Sequence, residues 1–147
     1  MMPSEELTPG ASLPPSTVPM LAAALASRIR PILPEEFSCI ADDTRVILVR
    51  DHAGVRSLDL ADAPEWRAES WVEDLRAVVW QVLSDFQDEI VEQVWQAWPP
   101  APGGGTAIPY VEIKDGRLLA GFRHEGQMFV GLDPMNLDDV ETQGRTG

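Results

Sequence analysis

The sequence predicts an α+β fold: one long amphipathic helix packed on one face of antiparallel sheet, single or split, of five to six strands, in the order α-βββ-α-βββ. Three observations carry that expectation. In residues 70–98, SWVEDLRAVVWQVLSDFQDEIVEQVWQAW, the residues Trp71, Leu75, Val78, Val82, Phe86, Ile90 and Val94 recur every three or four positions, the spacing of one helix face. Asp115-Gly116 stands between two strand-like runs, which is the preferred type I′ hairpin signal. Residues 37–60 alternate apolar, β-branched runs with turn residues, as a strand meander does.

At 147 residues the chain fits one domain with a core large enough to need no disulfide or structural metal. Cys39 is the only cysteine, so no intramolecular disulfide forms and nothing points to an oxidising compartment. There is no apolar run long enough to cross a membrane, and the N-terminus lacks the basic start of a signal peptide. A cytoplasmic location is therefore expected. The formal net charge of −13 disfavours binding to nucleic acid or to an anionic membrane, because long-range repulsion opposes both. It permits a basic protein partner, and it also serves solubility.

Taken in order, residues 1–17 are rich in Pro, Ser, Thr and Glu and read as a disordered arm, leaving a single domain over 18–133. Thr17 caps a first helix with Pro19 in its first turn, Leu21, Leu25 and Ile29 on one face, and Pro31 to end it. Its Ala-rich opposite face reads as that of an ordinary helix former. Strands follow at residues 37–41, 45–50 and 55–60, with Asp51–Gly54 as a four-residue hairpin loop. Ser70 and Glu73 form a capping box for the long helix, and Asp62 with Glu65 offers a rival start. Pro99 and Pro100 end it at Trp98. Such a helix is roughly 40 Å long. Strands at 108–114, 117–122 and 127–132 complete the second group, and the acidic segment 134–147 reads as a frayed tail.

The chemistry-bearing residues are few. His52 beside Asp51 and His124 beside Glu125 would make a metal or acid–base site only if the two turns met in space. Cys39 sits in apolar context and reads as a small buried hydrophobe. The loop from Pro99 to Thr106 has three glycines but no following Gly-Lys-Ser/Thr and no helix start, so it reads as a connector and not a phosphate loop. No nucleophile elbow, zincin helix or dinucleotide fingerprint is present, so no catalytic residue, metal or cofactor is expected.

Two features point instead to a partner surface. Asp85, Asp88 and Glu92 share a helix face, and no Lys or Arg lies between Arg76 and Trp98 to pair with them. Trp80, Trp95 and Trp98 lie on a line flanking the apolar stripe, and large aromatics concentrate binding energy at interfaces. Self-association through this helix would use both features.

The run LSDFQDEIVEQVWQAWPP, with Ser84-Asp85, Gln87-Asp88 and Trp98-Pro99 leading into a Gly/Pro-rich loop, resembles a pattern in small uncharacterised actinobacterial proteins. The resemblance covers the long helix and the strands after it and implies no catalytic residues. At the level of fold, a small acidic α+β protein with long helices beside antiparallel strands is similar to type III secretion chaperones. The resulting expectation is a cytosolic, chaperone- or adaptor-like protein-interaction domain, binding a protein partner or itself. Two rivals are an acidic inhibitor or immunity-type protein with a basic target, and a small metal-binding or enzymatic domain built on the two His turns.

Overall fold

Seven strands and two α-helices form from residues 17–61, 71–101, 103 and 107–137, the residues that the computed structural model describes. The arm over 1–16, the helix-start signals at Asp62, Glu65 and Ser70, most of the Gly-rich loop and the segment after 137 lie outside them. The first sheet is a meander of β1 (Phe37–Asp42), β2 (Arg45–Arg50) and β3 (Ala53–Asp59) in sequence order. The second is a meander of β4 (Ile108–Lys114), β5 (Arg117–His124) and β6 (Gln127–Gly131), with β7 (Met135–Asn136) also paired to β5. All pairings are antiparallel. The sheet is thus split into a three- and a four-stranded unit.

The turns explain the registers. Asp115 and Gly116 sit at φ 54° and 74°, and Glu125 and Gly126 at φ 53° and 81°, so each pair is a two-residue hairpin turn with both residues left-handed. The first sheet uses the same device without glycine: Asp51 and His52 lie at φ 52° and 72°, joining Arg50 directly to Ala53. The four-residue loop read from Asp51–Gly54 is therefore a two-residue turn, and Gly54 belongs to β3. A register shift follows in each hairpin, at Leu48/Val49 and at Phe122/Arg123, one or two residues before the strand-ending Arg50 or His124. The two sheets thus share a bulge and a two-residue left-handed turn after an Arg near the strand end, Arg50 in one and Arg123 in the other.

The segment from 134, read as frayed tail, contributes to the second sheet. Leu132 N–H donates to Ala120 C=O at 2.9 Å, and Leu137 N–H to Gly116 C=O at 2.9 Å, so β6 and β7 form one interrupted edge along β5. Met135 and Leu137 are buried there. Two paired residues carry no period that a sequence pattern can reveal.

The first helix, α1 (Thr17–Ile29), continues as a 3-10 turn (Arg30–Ile32), since Pro31 has no N–H to prolong the α ladder. It packs on β1 and β2 through Leu21, Leu25 and Ile29, with Ala22 and Ala26 also buried. Ala22 and Ala26 are thus core residues as well as helix formers, while Ala23 is exposed. Arg28 Nε donates to Asp133 C=O at 3.1 Å, which ties α1 to the β6–β7 connection of the other sheet.

The long helix, α2 (Trp71–Val94), packs on β4 and β5 of the second sheet and on β3 of the first. Leu75, Val78, Val79, Val82, Leu83, Phe86 and Ile90 are buried, the face that the period predicts. They join Leu48 of β2 and Phe122 of β5 in one apolar cluster shared by both sheets. Asp74, an acidic residue in the first turn of the helix, is buried and partnered. Among the described residues no helix is long and apolar enough to cross a membrane.

Candidate functional site

The end of α2 decides which side chains face outward. The helix stops at Val94, four residues before the position that Pro99 suggests, because Trp95 turns left-handed at φ 57°. Trp95 N–H donates to Val91 C=O at 2.8 Å, the single bond of an αL cap, in which the left-handed residue is usually glycine. Here it is a tryptophan, and it is 89% exposed.

The same reversal carries Trp98 inward. Trp98 was expected on the interaction line with Trp80 and Trp95, but it is only 8% exposed and belongs to the core. Its ring meets Phe122 edge-on at 5.2 Å between centroids and 72° between planes. Gln87, which helical spacing places on the line from Trp80 towards Trp95, is buried as well. Gln87 Nε2 donates to Trp98 C=O at 3.1 Å and to Ala107 C=O at 2.7 Å, so one amide clamps both ends of the Pro/Gly loop to the helix. The line drawn from the helical period thus divides: Gln87 and Trp98 hold the loop, while Trp80 and Trp95 stay at the surface.

Trp95 lines an open groove of about 570 Å³ together with Val91, Glu92, Gln96 and Ala97. Trp80, 45% exposed, lines a second groove of about 370 Å³ between α2 and β4, with Glu73, Arg76, Ala77, Gln81 and Val111. Trp80 lies about 21 Å along the helix axis from the last helical residue, Val94, at 1.5 Å per residue, and Trp95 follows directly. Ser84 and Val91 between them are half-buried, and Asp88 and Glu92 beside them are exposed.

The acidic residues divide as well. Asp85 accepts from Gln81 Nε2 at 2.8 Å, and Glu89 accepts from Gln93 Nε2 at 2.9 Å. Asp88 and Glu92 form no ion pair among the described residues. The cation that the C-terminal half of α2 lacks arrives from β2. Arg50 Nη1 donates to Gln93 C=O at 3.2 Å and to Gln93 Oε1 at 2.8 Å, and the guanidinium lies 5.4 Å from the centre of the Phe37 ring. It thereby caps the negative end of the helix dipole. Arg50 Nη2 also approaches Glu36 at 3.7 Å. Arg50 is committed to the helix end, and Asp88 and Glu92 are left facing solvent.

The other candidates assemble less. His52 is exposed and His124 is half-buried with a partner of its own. Among the described residues no three His, Cys, Asp or Glu side chains come close enough to hold a metal. Cys39 is buried, and desolvation pushes its thiol up to about 12 in spite of the nearby Arg30 charge, so it is protonated and unreactive at neutral pH. On the outer face of the second sheet Arg123 lies 4.4 Å from the Tyr110 ring centre, and Tyr110 Oη donates to Glu112. That hydrogen bond, with burial, holds the phenol above its ordinary value. Comparison with known proteins finds no matching family model, no matching curated protein and no matching solved structure.

Proposed function

We propose that this chain is a cytosolic protein-interaction domain, chaperone- or adaptor-like and without catalysis, that docks a partner polypeptide on the exposed face of α2 between Trp80 and Trp95. One observation carries the reading: Trp95 is 89% exposed in a left-handed conformation where glycine is conformationally cheaper. Neither burial nor local geometry favours an indole there, whereas contact with a partner does. Trp80 in the second groove gives the face an anchor at each end.

The test is a pull-down with purified bait from the native host, wild type against the Trp80→Ala, Trp95→Ala double variant, with circular dichroism to confirm the fold. A stoichiometric protein retained by wild type and lost in the double variant is the expected result. A partner retained equally by both, with the fold intact, refutes docking at this face. A second reading, an acidic inhibitor of a basic target, is favoured by the exposure of Asp88 and Glu92 on the same face. In that case charge reversal at Asp85 and Glu92, or high salt, releases the partner.

A further inference from the structure

We infer that the partner segment is basic and amphipathic, seating an apolar residue in the groove of Val91, Trp95 and Ala97 while its Arg or Lys side chains meet Glu92 and Asp88. The inference rests on the docking reading above and adds the chemistry of the occupant. The groove supplies both halves of that chemistry: Val91, Trp95 and Ala97 give an apolar wall, and Glu92 lies in the same lining. Asp88 stands one helical turn before Glu92, so the two carboxylates present a charged edge beside the indole. No described cation answers that edge, because Arg50, which reaches the helix end, is bonded to Gln93 and faces Glu36.

The alternative occupant, a second copy of this chain, is opposed by charge. Two-fold association about an axis passing near Asp88 and Glu92 would set those residues of one copy against the same residues of the other, on chains that each carry −13. A basic segment reverses the sign of each of those contacts. An Arg or Lys placed over the Trp95 face would gain a cation–π contact in addition.

The probe is a fluorescein-labelled peptide of alternating Leu and Arg, compared with a Leu/Gln peptide of the same length, in anisotropy titrations against the full chain at low salt. The Leu/Arg peptide is expected to bind, with affinity falling about thirtyfold in Trp95→Ala, as for an interface anchor. It is expected to fall on the order of tenfold in the Asp88→Lys, Glu92→Lys variant, as for two partly exposed ion pairs. The latter variant keeps its fold, since cations are favoured in the last turns of a helix. A control pair, Asp42→Lys with Asp133→Lys, makes the same change in net charge on other elements and should shift affinity less than about threefold, which separates a site from general attraction.

Equal loss in the control pair overturns the inference. So does a Leu/Gln peptide that binds as tightly as Leu/Arg; if that binding still depends on Trp95, the docking reading stands and only the basic occupant falls. Binding of neither peptide, or Leu/Arg binding indifferent to both Trp95→Ala and Trp95→Phe, also overturns it. A wild-type dimer in sedimentation that Trp95→Ala dissociates assigns the face to a second copy instead.

Discussion

The difference in stability between Gly and Ala at position 95 should have the opposite sign from that at an interior position of α2. Both substitutions remove the same exposed indole, so their difference isolates the backbone. A left-handed conformation costs an L-residue about 1–2 kcal/mol, which Ala still bears and Gly does not. Against that, Gly releases more conformational freedom in the unfolded chain, worth about 0.5–1 kcal/mol. Trp95→Gly should therefore be more stable than Trp95→Ala by roughly 0.5–1 kcal/mol. At Ala77, exposed within the same helix, the order reverses, and Ala77→Gly should lose about 1 kcal/mol. The assay is urea denaturation followed by far-UV circular dichroism, with equal slopes required before midpoints are compared. Trp95→Ala as stable as Trp95→Gly, or more so, refutes the left-handed cap. If the cap is right, both variants fold well and both lose the partner, so stability and binding separate at this one residue.

Other outcomes follow from the contacts around the site. Gln87→Leu should lose about 2–3 kcal/mol in the same denaturation assay, because the carbonyls of Trp98 and Ala107 lose a shared donor in a buried place. Arg50→Met should lose about 1–2 kcal/mol by releasing Gln93 and the helix end, whereas Arg45→Met, which breaks an exposed pair with Asp42 and removes a minor attraction to Asp59, should change stability by less than about 0.5 kcal/mol. Trp98→Ala should lose about 3–5 kcal/mol, as for a buried aromatic, in contrast to the small effect of Trp95→Ala. Asp59 accepts from Thr44 Oγ1 at 2.6 Å and from Ala61 N–H at 3.0 Å, which holds its carboxyl below the ordinary value. Its contribution is present above the unfolded value and is lost as pH falls through the lower folded one. A carboxyl NMR titration should show that Thr44→Val moves Asp59 back up; no movement contradicts the assignment.

Much of the architecture was legible because it is periodic or local. The stripe from Leu75 to Ile90 and the Asp115-Gly116 turn each encode a structure within a few neighbouring residues, which makes the α+β class with antiparallel sheet readable, whereas the five to six strands expected fall short of seven because β7 is only two residues long. The features that shape the candidate site are neither. Trp95 ends the helix without the glycine that usually signals a left-handed cap, so Pro99 was the nearest stop visible in the chain. Trp98 was read with Trp80 and Trp95 because helical spacing aligns them, and that spacing no longer applies once the chain reverses at Trp95. The helix end is capped by Arg50, forty-three positions away, which no window around Asp88 and Glu92 contains. The hairpin at Asp51 is legible in the sequence but its length is not: Gly54 is the nearest glycine and suggests a longer loop, whereas the left-handed pair is Asp51-His52.

The exposed acids and the two outward indoles were, by contrast, visible as an absence of compensation. Nothing between Arg76 and Trp98 neutralises the helix, and nothing in the stripe accounts for Trp80 and Trp95. Folding resolved part of that imbalance by burying Trp98 and Gln87 and by bringing Arg50 to the helix end. What it left outside is the surface proposed for docking.

The most direct test of that surface is site-specific photo-crosslinking in the native host, with a benzophenone side chain at position 95, at position 80, or at the exposed Ile40 on the other sheet as control. Docking on α2 predicts a discrete crosslinked polypeptide at 95 and 80 that is absent at 40. A crosslink at 40 alone, or none at 95 in a chain shown to be folded, would contradict it.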